Sequence, residues 1–305
     1  MAIVDFHSHF FCRTYFQTLA GMSKLPGDAA TRMADVASKV RLELPHEDVE
    51  QHLARWISEL DRHGVEHMAT FASVPEELPD VVRAARASNG RLSAFALVNP
   101  RAEGAAAKLD RALAAGDVRG ALVFPAMHHF ELSGPEAAEV FRVLDAHGAI
   151  VFVHCGILVV KLRDLFGLPR VQDVRFANPL SLIPAANAHP RATFVIPHFG
   201  AGFLRETLMA GAQTANIYVD TSSSNGWMAT QEPKLTLRDV FERALGVFGA
   251  SRILFGTDSN VFPAGWRKDR YDEQRAAVNA AGASAADQEL IFAGNARRLL
   301  KLEER

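Results

Sequence analysis

Two histidines one residue apart, His7 and His9, stand where the short apolar run Ile3-Val4-Asp5-Phe6 ends. Side chains two apart on a strand point to the same face, so the two imidazoles converge on one point. Paired imidazoles are a metal-binding arrangement, but two donors cannot complete the four-coordinate shell that zinc prefers. Three further apolar runs end on ligand-type residues: Val151-Phe152-Val153-His154, Val195-Ile196-Pro197-His198 and Ile253-Leu254-Phe255-Gly256-Thr257-Asp258. Cys155 adjoins His154, and strand alternation turns it away from any point that His154 faces.

A set of strand ends must position these residues. Strand-like segments recur near residues 3–7, 66–73, 92–98, 118–124, 149–154, 192–197, 217–221 and 253–257, rich in Val, Ile, Phe and Ala as parallel strands covered on both faces are. Helical patterns separate them. The clearest places Val49, Leu53, Trp56, Ile57 and Leu60 on one face and stops at Gly64. Others run over about 78–89, 102–116, 135–147, 178–189, 203–215, 236–248 and 268–281, and a last one opens at Ser284 to Asp287 as a capping box and continues through Leu300. The alternation predicts an α/β fold, a (β/α)8 TIM barrel, with residues 1–305 as a single domain and a C-terminal helix. An open doubly wound sheet is the alternative. A site shared by His7, His9 and Asp258 requires closure, which sets the first and last strands side by side. No G-x-G-x-x-G follows the first strand, against dinucleotide binding.

Two connections exceed ordinary βα loops of about 2–6 residues. Residues 10–46 form a long insertion after strand one, expected to cap the site, in which Met33, Val36, Ala37 and Val40 mark a short helix. Residues 155–177 follow strand five and carry Lys161, Arg163, Arg170 and Arg175. Both leave the rim on which barrel sites sit.

Composition excludes several classes. The chain has 305 residues, 49% hydrophobic and 22% charged, and 33 Lys and Arg stand against 35 Asp and Glu. Such a balance carries no basic footprint for nucleic acid or an anionic membrane, so the expected partner is a small molecule, with the assembly open to a homodimer. Two cysteines, Cys12 and Cys155, make no disulfide framework. No apolar run reaches the roughly 18 residues of a spanning helix, and no leader pattern precedes the first strand, so the expected location is the cytoplasm.

The set Asp5-Phe6-His7-Ser8-His9-Phe10, His154, Pro197-His198-Phe199-Gly200, Gly256-Thr257-Asp258 and Gly294-Asn295-Ala296-Arg297-Arg298-Leu299-Leu300 resembles the amidohydrolase superfamily. Within it, the chain is similar to the branch holding aminocarboxymuconate-semialdehyde decarboxylase and γ-resorcylate decarboxylase. The resemblance implies that His7, His9, His154 and Asp258 bind one divalent metal, zinc first and manganese second. It also implies that His198 stands beside the ion as an acid, base or polarising group. Binuclear members bridge two metals with a lysine from strand four; Phe124-Pro125 occupies that neighbourhood here, which implies a mononuclear site. The loop after His154, Cys155-Gly156-Ile157-Leu158, lacks the aromatic residue expected of the decarboxylases.

Three functional classes follow as expectations, two reactions and one without activity. The first is hydrolysis of an amide, ester or lactone of a small carboxylate-bearing molecule, with Asp258 and His198 catalytic and metal-activated water as nucleophile. The alternative is non-oxidative decarboxylation of an aromatic or unsaturated acid on the same ligands. The third is a metal-binding protein without activity. Expected substrate contacts are Phe10, Arg13, Arg163, Trp227, Phe262 and Trp266, as ring walls and carboxylate clamps. Asp220 is expected to support a ligand imidazole, and the 221–226 loop to contact substrate.

Overall fold

The structure is a computed structural model, which describes residues 2–222 and 225–302. Eight strands follow one another in chain order: β1 (Val4–His9), β2 (His67–Phe71), β3 (Leu92–Leu97), β4 (Gly120–Val123), β5 (Ile150–Val153), β6 (Thr193–Ile196), β7 (Ile217–Asp220) and β8 (Ile253–Leu254). Each pairs in parallel with the next. All eight expected strands are present, and the fold is the (β/α)8 TIM barrel.

The barrel closes through the chain that follows β8. Phe6 N–H donates to the Phe255 carbonyl at 2.8 Å, Asp258 N–H to the His7 carbonyl at 2.8 Å, and His9 N–H to the Ser259 carbonyl at 2.7 Å. Along β1 the register against β2 slips between Asp5 and Ser8. A slip of this kind re-aims side chains. Phe6 and His7 both meet the barrel's inner ring of Phe71, Phe95 and Phe152, where Phe71 and Phe152 lie 4.7 Å apart edge to face. Asp5 instead turns to Thr257 and Trp266.

Helices clothe the barrel. The Val49–His63 helix buries Leu53, Trp56 and Leu60 and ends at Gly64, whose φ of 65° is left-handed backbone that glycine adopts without strain. The capping box at Ser284 forms with Asp287. The C-terminal element is not one uniform helix: a five-residue π-helical stretch, Leu290–Gly294, separates Ala285–Glu289 from Asn295–Leu300.

The insertion after β1 holds two helices, Arg13–Met22 and Ala29–Val40, where the sequence marked only the second. Tyr15, Phe16, Leu19, Met33 and Val36 pack there with Phe166 and Leu168 from the segment after β5, so the two long connections share a small core of their own. No helix among the described residues is long and apolar enough to cross a membrane.

Gly120 tests how tightly the barrel is packed. A Cβ at this position would stand 1.8 Å from the Ile150 carbonyl oxygen, and backbone cannot yield as a side chain can. Gly120→Ala is expected to cost about 3 kcal/mol or more in urea unfolding. Gly246→Ala meets open space at an exposed position of the Leu237–Phe248 helix and is expected to be neutral or to stabilise by up to about 1 kcal/mol. Equal midpoints for the two variants would contradict this packing.

Candidate active site and metal centre

The C-terminal ends of the strands open into a cavity of about 510 Å³. Its floor carries His7 and His9 from β1, His154 after β5, His198 after β6 and Asp258 after β8. One ligand atom each from His7, His9 and Asp258 falls within 4.8 Å of the others. The His9 Nε2 lies 3.4 Å and the His7 Nε2 3.8 Å from Asp258 Oδ1. His154 lies outside this triangle but in the same cavity, its ring centroid 5.1 Å from that of His198.

The far side of each imidazole fixes what the near side can do. His7 Nδ1 is 2.8 Å from Asp220 Oδ2, so its proton sits on Nδ1 and the Nε2 lone pair faces the site. His9 Nδ1 is 2.9 Å from Ser73 Oγ. The backbone carbonyl of Ser222, 3.0 Å from His198 Nδ1, can only accept, so His198 also carries Nδ1–H and keeps Nε2 exchangeable. Ser222 Oγ touches both rings, 3.1 Å from His7 Nδ1 and 2.9 Å from His198 Nδ1, and itself bonds to Asp220. Asp220 Oδ1 further accepts from the N–H groups of His198 and Ser222. The expected hydrogen bond between Asp220 and an imidazole is present at His7, and Asp220 also holds the backbone N–H of His198.

Electrostatics prepares these atoms to hold a cation. Against its own desolvation, Asp258 is held well below the usual carboxylate range by His9, His198 and His7. Burial, aided by His198 and His7, pushes the His154 imidazole down to about 3, so it is neutral with a lone pair available. His154 Nδ1 is buried without a partner among the described residues. A buried polar nitrogen left unpaired is costly, and an electron-pair acceptor relieves it. Burial likewise lowers His198, with His7 adding to the effect. For His7, burial acts to lower the value but the Asp220 carboxylate outweighs it and raises it. An ionised Asp258 and a neutral His154, beside His7 and His9 whose Nδ1 atoms are already hydrogen-bonded, fit one divalent ion.

Backbone strain collects at the same place. His198, Phe199, Ala201 and Asp258 have φ of 55°, 53°, 43° and 58°, and Phe11 has 24°, in the left-handed region that non-glycine residues avoid. These conformations turn the chain sharply off the strand ends.

Above the floor, the insertion and the segment after β5 form the roof. Phe11 stacks between His9, at 5.1 Å, and Tyr15, at 4.1 Å and nearly parallel. Leu19, Leu42, Leu158 and Leu162 add apolar wall, and Lys161 and Arg163 add the cations. Phe124 fills the end of β4, its ring 5.4 Å from His154.

Of the expected substrate contacts, the structure brings Arg163 to the cavity and leaves five elsewhere. Phe10 follows His9 and faces outward, its ring 4.6 Å from His52 among the helices. Phe262 packs on Trp56 with the Arg55 guanidinium 3.8 Å over its ring. The Trp266 indole N–H donates to Asp5 at 2.8 Å. Trp227 is buried in the outer core. Arg13 bonds to the Pro45 carbonyl and pairs with Glu47. Each is consumed by packing or pairing outside the cavity. In the loop after β7, Ser222 is a site residue, while Ser223 and Ser224 lie outside the described residues. Cys155 is buried in the outer core, as alternation required.

Residues that sequence reasoning missed are Ser73 and Glu77. Glu77 is fully buried and accepts from the N–H groups of Ser73 at 2.7 Å and Cys12 at 2.6 Å, tying the loop after β2 to the chain after β1. Nothing ligand-like ends β2, so only the structure shows Ser73 behind His9.

The fold and donor set define a TIM barrel with a metal-type site at its C-terminal mouth. The chain belongs to the amidohydrolase family, whose pattern matches residues 4–302. Among solved structures it is similar to a 5-carboxyvanillate decarboxylase from Sphingomonas paucimobilis, at 12% identity over 99% of both chains with a TM-score of 0.67. It is similar to a dihydroxybenzoic acid decarboxylase from Polaromonas with bound manganese and 2-nitroresorcinol, at 18% identity over 100% of this chain and 98% of that one, TM-score 0.66. A protein described as a 2-pyrone-4,6-dicarboxylic acid hydrolase from Pseudomonas putida matches at 18% identity over 100% and 99%, TM-score 0.63. No curated protein matches the sequence.

Glu77 generates a pH prediction. Burial, opposed by the Ser73 and Cys12 N–H groups, raises its carboxyl from 4.5 to about 7. The folded state then holds the proton more tightly than the unfolded chain. Its contribution is full below pH 4.5 and is lost as pH rises to about 7. Relative to Glu77→Gln, the wild type should lose about 3 kcal/mol of stability across that window in urea titrations. A pH-independent difference would contradict the assignment.

Proposed function

We propose that the protein is a metal-dependent, non-oxidative decarboxylase of a planar aromatic or unsaturated carboxylic acid. The observation that carries this reading is the cavity itself. A mostly apolar, ring-lined space has on its floor a divalent-metal donor set beside a histidine, His198, whose Nε2 is free for proton transfer. Such a space suits a flat ring whose one charged end meets the floor.

His7, His9, His154 and Asp258 would hold a single divalent ion, zinc or manganese. When bound, the ion supplies charge neutralisation for a substrate carboxylate and a neighbouring oxygen. The protein's own residues do the rest. Phe11, Phe124 and the leucines exclude water and hold the ring flat. Asp220 and Ser222 fix the His7 and His198 rings. His198, neutral at rest, takes a proton from solvent onto Nε2; the resulting imidazolium, more acidic than an ordinary one because it is buried, gives that proton to the ring carbon that bears the carboxylate and returns to the neutral form. The bond from that carbon to the carboxyl carbon breaks, its electron pair returns to the ring, and carbon dioxide leaves. Asp258, ionised, is the base that accepts a proton from a substrate hydroxyl. The 10–46 insertion serves as the cap that closes over the ring.

Hydrolysis is the second reading. The likeness to a 2-pyrone-4,6-dicarboxylic acid hydrolase favours it, because a pyrone is also a flat ring and the same Asp258 and His198 would serve water attack on a lactone.

The test is a screen of hydroxybenzoic acids and a pyrone lactone in heavy water with the metal-loaded protein, following carbon dioxide and ring deuterium by NMR. Decarboxylation should place deuterium at the vacated carbon, and His198→Asn should reduce the rate by about 100-fold or more. Lactone opening with no carbon dioxide from any acid would transfer the assignment to the hydrolase.

A further inference from the structure

The roof of the cavity holds an arginine unlike the others. Every other partly buried arginine among the described residues is tied by hydrogen bond or ion pair. Arg32 and Arg252 hold main-chain carbonyls, Arg91 holds Asp61, Arg267 holds Asp269 and Arg297 holds Glu66. Arg13 and Arg270 are likewise engaged. Arg163 lines the cavity, its guanidinium has no carboxylate or carbonyl hydrogen-bond partner among the described residues, and its Nε is buried.

The field of Arg163 helps to hold the neighbouring Asp164 carboxyl low, though the hydrogen bonds from Arg170 do most of that. Its field reaches Tyr15, whose hydroxyl burial pushes up out of the range where it ionises, and His128, which burial pushes down to about 4 and so leaves neutral. Asp164, next in sequence, is gripped by Arg170 through both oxygens, at 3.1 and 2.8 Å. Among the described residues Asp258 is the single acidic one lining the cavity, and it belongs to the floor with the histidines. Lys161, on the same short Lys161–Leu165 helix, adds a second cation. That helix is set in the roof because Leu162 and Leu165 pack against the small core shared with the insertion.

We infer that Arg163 is the anchor of a second anionic subsite, so that the substrate carries two acidic groups, one held at the floor and a carboxylate held at the roof by Arg163. This rests on the cavity being the substrate site of the proposed enzyme. A partly buried guanidinium is a strong, geometrically selective carboxylate partner, and one left without a protein acceptor is available to a ligand. The ring between the two poles is held by the Phe11, Phe124 and leucine walls.

Binding of non-reacting dianions separates this inference from the reaction. Phthalate, isophthalate and terephthalate scan the spacing between two carboxylates on one ring, and benzoate supplies the one-carboxylate reference. Calorimetry on metal-loaded protein should find at least one dicarboxylate bound about 10- to 100-fold more tightly than benzoate, the range of a charge-assisted pair. Arg163→Met should remove that preference and leave benzoate affinity within about twofold, while Arg163→Lys keeps part of it. A preference seen without decarboxylation of any acid would sustain the subsite and defeat the proposed reaction. Equal affinity for benzoate and all three dicarboxylates, or a preference that survives in folded Arg163→Met, would overturn the subsite.

Discussion

The site depends on one seam, where β1 meets the chain after β8. His7 and His9 are more than two hundred residues from Asp258 in sequence, and only this closure sets them within reach of one ion. The seam is held by main-chain hydrogen bonds and by the buried Asp5 carboxylate. Asp5 accepts from the N–H groups of His7 and Thr257, both at 3.1 Å, from the Thr257 hydroxyl and from the Trp266 indole. A buried carboxylate is tolerable only when its oxygens are satisfied, and here every donor comes from a segment that must be in place for the site to exist. Gly256 completes the seam, since a Cβ there would stand 2.6 Å from the His7 Cβ.

Behind this seam the polar groups are arranged in two tiers. Asp220 and Ser222 steady His7 and His198 from one side, and Ser73, fixed by Glu77, stands behind His9 on the other. The supports come from the ends of β2 and β7, on either side of the β1 ligands. The barrel thus supplies rigid strand ends for the histidines and Asp258, while the long connections after β1 and β5 supply walls of the cavity. Division of labour of this kind lets a barrel keep a metal site and vary its substrate through loops.

Much of this could be read from the residues. The eight strands followed from short apolar runs, and the floor residues from ligand types placed at strand ends, because both signals are local. The aromatic contacts were harder, since an aromatic residue near a strand end packs inward or outward according to alternation and neighbours. Phe10 follows His9 and by alternation faces away from the cavity, a reading the sequence permitted. Phe262 and Trp266 gave no such signal, because their partners, Trp56 and Asp5, are distant in sequence. The first roof helix was obscured because its apolar residues, Tyr15, Phe16, Leu19 and Ala20, face a core made partly by Phe166 and Leu168, about 150 residues away. The isolation of Arg163 is a property of what does not surround it and has no trace in sequence.

The central claim is that one divalent ion joins β1 to the end of β8. The most direct measurement is metal content by elemental analysis of wild type and of the His7→Ala, His9→Ala double variant, with circular dichroism to verify that the variant folds. The account predicts about one ion per chain in the wild type and none in the folded double variant. Retention of a full equivalent by that variant, or two ions in the wild type, would contradict it.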